Sequence, residues 1–389
     1  MISLVVPTYN ERGNINALVE RTGQALASTN ELFELIIVDD NSPDGTADAV
    51  RALQGGRPWL RLLVRTEERG LSTAVMAGWN IAQGNILGCM DADLQHPPEI
   101  LSQLAESIRT THADIVVASR HVRGGGVSDW SLRRRFVSWT ATLLATMILP
   151  GTLAEVRDPM SGFFLLRRDV IHGAALKPRG YKILLEVLAK GRYAQVNEVP
   201  FVFEERVEGG SKIGSSVMWD YIVQLARISF ETGEAAKIGK FALVGLSGAV
   251  VNLIVYRWLV GAPLSVWDAA AVAAGAAIVN NFIWNERFTF PESHGASPGW
   301  SPMLRRFGTF ALISGVGLVL NVAVVELFIA ILHLPWLPGV STGIVVAGAW
   351  NFFTNANLTW RPDRKKHLSG ANETLDMPQS GQPAVEKIK

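Results

Sequence analysis

Asp91 and Asp93 stand one residue apart and lead into Gln95-His96-Pro97-Pro98-Glu99. The apolar run 85–90 before them reads as a buried strand, so two short carboxylates emerge at a strand's C-terminal end. Open α/β sheets place their ligands there. Aspartates so spaced can share a hard cation through oxygen ligands, and a divalent ion in that place binds a diphosphate and stabilises it as a leaving group. The plainer alternative is a pair of turn aspartates ahead of a Pro-Pro helix start. Two further loops favour chemistry. Pro7-Thr8-Tyr9-Asn10-Glu11 follows the first apolar run, and Asp39-Asp40-Asn41-Ser42-Pro43-Asp44-Gly45 follows the second. Either loop alone reads as helix capping, with Asp44 or Thr46 as the N-cap. Three such loops on one edge of a parallel sheet read as a site.

The strands expected to present these loops are Ile2–Val6, Leu35–Val38, Arg61–Val64, Ile86–Met90 and Ile115–Ala118. Helical spacing occupies Asn14–Ala27, Thr46–Leu53, Ser72–Ala82 and Pro98–Arg109. This alternation predicts an α/β, Rossmann-like domain with a mostly parallel sheet. The 389 residues allow a second domain, and the apolar content is uneven: 1–235 reads as soluble α/β, whereas 241–360 is dominated by long apolar runs. A net charge of +1 gives no reason to expect a nucleic-acid partner. The single cysteine, Cys89, falls in a predicted buried strand and is expected to be a small core hydrophobe. No signal peptide is expected, since Met1 leads straight into a strand.

The motifs resemble those of family 2 glycosyltransferases of the GT-A fold, above all the dolichyl- or polyprenyl-phosphate mannosyltransferases. The matching stretches are Val6 to Glu11, Val38 to Thr46, Arg69-Gly70-Leu71-Ser72, Met90 to Glu99, Ser119-Arg120, Asp158 to Phe164 and Gly210-Ser211-Lys212, in the family's order. The resemblance implies a nucleoside pocket of Pro7, Tyr9 and Glu11, with Val38 and Asp40 at the base or ribose. It places Asp91, Ala92, Asp93 and Gln95 at the diphosphate. Asp91, Asp93 and Gln95 would surround Mg²⁺ or Mn²⁺. UDP-glucose enzymes of the family usually carry Asp-Gly-Ser and Gln-Asp-Pro-Pro. This chain has Asp40-Asn41-Ser42-Pro43-Asp44 and Gln95-His96-Pro97-Pro98, which points to GDP-mannose. His96 itself reads as a turn residue.

The resemblance also picks out Arg120, Arg134, Arg206 and Lys212 for the phosphate of a lipid acceptor. Arginine suits bidentate phosphate contact, and a lysine on a glycine-rich loop acts as a mobile point charge. No general base is evident and none is needed. A phosphate monoester, with a second pKa of about 6, is already ionised. Single displacement then inverts the anomeric configuration.

Four apolar segments, about Phe241–Val260, Val266–Ile283, Phe307–Leu332 and Leu337–Phe353, approach the roughly 20 residues that span a bilayer. Lys237, Lys240, Arg287, Arg305, Arg306, Arg361, Arg364, Lys365 and Lys366 all flank one side, so both ends and the catalytic half are expected in the cytosol of a cell-membrane protein. An internal repeat pairs Phe241 with Phe310, Asn252 with Asn321, Asn281 with Asn351, and Phe290 with Trp360. This half resembles the GtrA-like membrane domain. Its asparagines read either as a lipid-headgroup path or as interhelical hydrogen bonds. Glu326, inside a span, is expected to pair with a neighbour.

The expected organisation is a catalytic domain over 1–215, amphipathic juxtamembrane helices over 216–236, a four-helix membrane domain over 237–360 and a disordered tail over 361–389. The expected reaction joins mannose from GDP-mannose to dolichyl or polyprenyl phosphate. UDP-glucose transfer and a non-catalytic lipid-sugar flippase or scaffold are the rivals. The oligomeric state is open, a homo-oligomer included.

Overall fold

A computed structural model describes residues 1–128, 130–153, 156–177, 180–204, 215–291, 299–333 and 336–360. Strand β1 (Ile2–Thr8) is almost wholly buried, as a central parallel strand covered on both faces must be. It pairs in parallel with β2 (Phe33–Asp39) on one side and with β4 (Ile86–Cys89) on the other. Strand β3 (Leu60–Val64) flanks β2. The chain thus leaves β1 towards one side of the sheet and later returns to its other side. That reversal opens a crevice at the strands' carboxyl ends.

The five strands expected from sequence are present, and the sheet is larger than they imply. β7 (Phe164–Arg167) lies antiparallel between β4 and β5 (Ile115–Ser119), and β8 (Val196–Pro200) extends the far edge, giving the order β3-β2-β1-β4-β7-β5-β8. A second, two-stranded ribbon joins β6 (Gly126–Val127) to β9 (Val202–Phe203). Helices α1 (Arg12–Ala27), α2 (Thr46–Leu53) and α4 (Ile100–Thr110) cover one face of the sheet around Leu4, Val6 and Leu35. On the other face, α3 (Leu71–Ile81) packs around Val5, Val38 and Leu87, joined by α5 (Leu132–Ile148), the short α6 (Pro150–Leu153) and α7 (Ile183–Lys190).

Helix α8 (Ser215–Glu231) buries Tyr221, Leu225 and Ile228 in the core on the α3 face of the sheet. Its polar residues face the protein: Gln224 bonds the Lys182 carbonyl at 3.1 Å, Arg227 bonds Glu186 at 2.8 Å, and Glu231 pairs with Lys190. Trp219, Ile222 and Phe230 are exposed instead. The polar stripe satisfies a buried carboxylate, and the outer surface is left apolar.

Beyond α8 come α9 (Glu234–Leu259), α10 (Val266–Trp284), α11 (Trp300–Glu326) and α12 (Trp336–Thr354). Among the described residues, three helices are long and apolar enough to cross a membrane: Glu234–Leu259, Val266–Thr289 and Trp300–Ile331. α9 packs on α10, and α11 on α12. The repeat read from sequence is carried into the packing. A Cβ on Gly248 would run into the Asn281 amide, and one on Gly317 would lie 2.7 Å from that of Asn351. Each matched asparagine therefore sits against a glycine of its partner helix, a close approach that only a missing side chain permits. Both units end in a π-helical turn, Asn285–Thr289 and Asn355–Thr359, in which the threonine hydroxyl bonds the asparagine at 2.8 and 2.7 Å. Glu326 does not pair as expected. It is exposed on α11 and makes no ion pair among the described residues.

Candidate active site

The crevice beside β1 holds a cavity of about 270 Å³ lined by Pro7, Thr8, Tyr9, Glu11, Asp40, Leu71, Asp91, Ala92 and Asp93. The loops after β1, β2 and β4 thus meet there, as their positions on one sheet edge require. Each is pinned by its own polar residues. Asp39 is fully buried, accepting from the Ser42 amide at 2.9 Å and the Ser42 hydroxyl at 2.6 Å. Asp44 accepts from the Thr46 hydroxyl at 2.6 Å and the Arg12 amide at 3.1 Å. Asp40 accepts from Arg65 Nε at 2.7 Å and from the Gly70 amide at 2.8 Å. Gly70 has φ +147°, a conformation that glycine adopts without strain, and it brings Leu71 to the cavity wall. Arg69 lies over the Tyr9 ring at 5.1 Å.

Two expected residues, Val38 and Gln95, are not among those lining the cavity. Val38 is fully buried in the core, where the space left by Gly78 receives it. The Gln95 side chain donates to the Glu204 carbonyl at 3.0 Å, and the Glu204 amide donates to the Gln95 carbonyl at 3.0 Å. Gln95 therefore ties the Asp91–Asp93 turn to the end of β9. Arg206 and Lys212 lie outside the described residues.

A second cavity, of about 440 Å³, abuts the first. Asp91 lines both. Its polar wall holds Arg120, Arg134, Lys182 and the serines 131, 138 and 161; Trp130, Val137, Ala141, Met160, Tyr181, Phe203 and Met218 make the rest mostly apolar. Arg120 is fixed by the fully buried Asp158, with Nε–Oδ2 and Nη2–Oδ1 both 2.7 Å. Burial alone would push the Asp158 carboxyl up, but the bonds from Arg120 outweigh it and hold the group below its usual range. Arg134 follows the Ser131 cap of α5 and stacks over Trp130 at 4.2 Å.

His96 lies in the bend after Asp93, with its ring turned inwards. It is buried among Phe163, Phe201 and Phe203, and burial lowers its pKa to about 3. Its 3.7 Å approach to Asp91 is therefore that of a neutral ring, not an ion pair. Sequence reading also passed over Asp158, whose place in the Asp-Pro-Met-Ser-Gly motif was the available signal, and Lys182, which had none.

Gly162 sets the position of Asp91. A Cβ there would stand 2.6 Å from Asp91 Oδ2. The obstructed atom is the far end of a short side chain, so Gly162→Ala should fold with little change in melting temperature while swinging the carboxylate aside. A displacement of about 1 Å at reacting groups costs about a hundredfold in rate. We expect a drop of that order, read by steady-state turnover beside a melting curve; unchanged turnover would show that Asp91's placement is not critical.

A sheet edge that gathers three acidic loops at a switch point, next to a cation-bearing cavity with apolar walls, defines a group-transferring enzyme with two substrates. Residues 3–173 match the glycosyl transferase family 2 model, and residues 240–360 match that of the GtrA/DPMS transmembrane domain. A dolichol-phosphate mannosyltransferase of Pyrococcus furiosus is 37% identical over 362 residues, covering 92% of this chain and 99% of its own. That of Saccharomyces cerevisiae is 41% identical over 236 residues, 58% of this chain and 86% of its own. Among solved structures, glucosyl-3-phosphoglycerate synthase of Mycobacterium tuberculosis superposes with a TM-score of 0.46 at 19% identity, covering 59% of this chain and 79% of that one. The chain belongs to glycosyltransferase family 2, in a branch whose catalytic domain is fused to a GtrA/DPMS transmembrane domain. It is a glycosyltransferase and a membrane protein.

Proposed function

We propose that the enzyme transfers mannose from GDP-mannose to a dolichyl or polyprenyl phosphate, with inversion, at the cytosolic membrane face. The observation that carries this reading is the single carboxylate, Asp91, shared by the two cavities. The smaller one sets four carboxylates, Glu11, Asp40, Asp91 and Asp93, beside Pro7 and Tyr9, and suits a nucleoside diphosphate carried with a divalent ion. The larger joins cations to an apolar wall and suits a lipid phosphate. The relatives named dolichol-phosphate mannosyltransferase support mannose as the sugar and a polyprenyl phosphate as the lipid.

The residues fit a divalent ion, Mg²⁺ or Mn²⁺. Among the described residues no three His, Cys, Asp or Glu side chains form a complete cage. Two carboxylates suffice for an ion of the Mg²⁺ kind, which keeps waters and takes its other ligands from a diphosphate. Asp91 and Asp93 would hold it, and when bound it would neutralise the departing diphosphate. Asp40, locked by Arg65 and Gly70, holds the nucleoside end. Arg120 and Arg134 fix the acceptor phosphate, which attacks the anomeric carbon directly because it is already ionised. Pre-positioned cations supply both orientation and charge stabilisation.

Membranes containing the enzyme, offered labelled GDP-mannose or UDP-glucose with a polyprenyl phosphate, should yield a lipid-linked mannose only. Calorimetry on the purified enzyme should show GDP binding far more tightly than UDP. Tight UDP binding without measurable GDP binding would move the donor assignment to UDP-glucose.

A further inference from the structure

Resting on that acceptor reading, we infer that Lys182 is a third cation of the acceptor cavity and binds the lipid phosphate together with Arg120 and Arg134. Lys182 precedes α7 and lines the same cavity as the two arginines. Its backbone is held from behind by Gln224 of α8, which fixes where the side chain starts. Its ammonium lies 5.0 Å from the Tyr181 ring centroid and makes no ion pair or hydrogen bond among the described residues. Contrast Lys190, eight residues on: its ammonium bonds Glu186 at 2.7 Å and also pairs with Glu231, as a structural lysine should.

A half-buried cation that bonds no carboxylate is costly to the fold. It is retained where an arriving anion supplies the missing charge. Burial dominates the surroundings of Lys182 and disfavours its charged form, with Asp91 the strongest opposing influence. A dianionic phosphate delivered beside Arg120 would restore the balance. The two arginines are oriented by Asp158 and Trp130, and so are rigid. An ammonium on a flexible stem can follow the phosphate as its oxygen moves towards the sugar. Lys182 would therefore make the site select a phosphate over the corresponding alcohol.

The test uses the full chain in detergent, without sugar nucleotide, and measures equilibrium binding of farnesyl phosphate and of farnesol. Wild type should prefer farnesyl phosphate strongly. Lys182→Met should weaken farnesyl phosphate by roughly 10- to 100-fold, the worth of one charge-assisted contact. It should leave farnesol and GDP binding unchanged, and Lys182→Arg should recover most of the loss. Equal farnesyl phosphate affinity in Lys182→Met and wild type would overturn the role of Lys182. So would a loss of GDP binding that Lys182→Arg fails to restore, since Lys182 would then act on the donor side or through the fold. A wild type with no preference for the phosphate would instead overturn the acceptor reading beneath it.

Discussion

Asp93→Asn should fold like wild type and lose turnover by orders of magnitude. Asp93 is buried at the base of the smaller cavity, and its Oδ1 accepts from the Gln95 amide at 3.2 Å. Asparagine has the same shape and keeps an oxygen for that bond, so the turn survives. What disappears is a negative charge where a divalent ion and a diphosphate would meet, and hard cations depend on such charge. The deficit should appear in binding as well as rate: GDP affinity should depend on Mg²⁺ or Mn²⁺ in wild type and much less in the variant. Wild-type turnover by the purified variant, or indifference of the native enzyme to EDTA, would remove Asp93 from the metal's ligands.

Asp158→Asn should be the most destabilising conservative change in the catalytic half. Asp158 is fully buried and neutralises Arg120 through two parallel hydrogen bonds. Its neighbourhood is built for an anion, because Arg120 also donates its backbone amide to Oδ2 at 3.0 Å. Removing one partner of a buried pair leaves an uncompensated charge, which costs about 3–5 kcal/mol. Thermal melting in detergent should show the loss, with weaker binding of farnesyl phosphate because Arg120 is released. The same pair predicts a pH dependence. A carboxyl whose folded pKa lies below its unfolded value of about 3.9 contributes stability that is complete above that value. The contribution is lost as pH falls through the lower folded value. Wild type should therefore lose stability more steeply than Asp158→Asn in strong acid. Parallel acid limbs for the two proteins would show that Asp158 is not the group responsible.

Much of this protein was legible in one dimension. Three acidic loops behind three apolar runs implied a parallel sheet with its chemistry on one edge, and the crevice formed there. Periodicity marks burial, and strand direction follows from crossover helices, so both are local properties of the chain. The membrane repeat was equally open to reading, because Gly248 and Asn281 recur as Gly317 and Asn351.

The tertiary structure alone decided matters that depend on distant contacts. β7 enters antiparallel between β4 and β5 with no crossover to announce it. α8 packs Tyr221, Leu225 and Ile228 into the core and brings Arg227 to the buried Glu186 of another helix, which leaves Trp219, Ile222 and Phe230 outside. His96 is a neutral ring in an aromatic cage, and Gln95 binds a backbone carbonyl 109 residues away. Lys182 carries no motif; it joins the acceptor cavity because the fold brings the start of α7 opposite Arg120. Sequence spacing reports the elements a chain forms. The charge, burial and partners of a side chain are set by what those elements bring beside it.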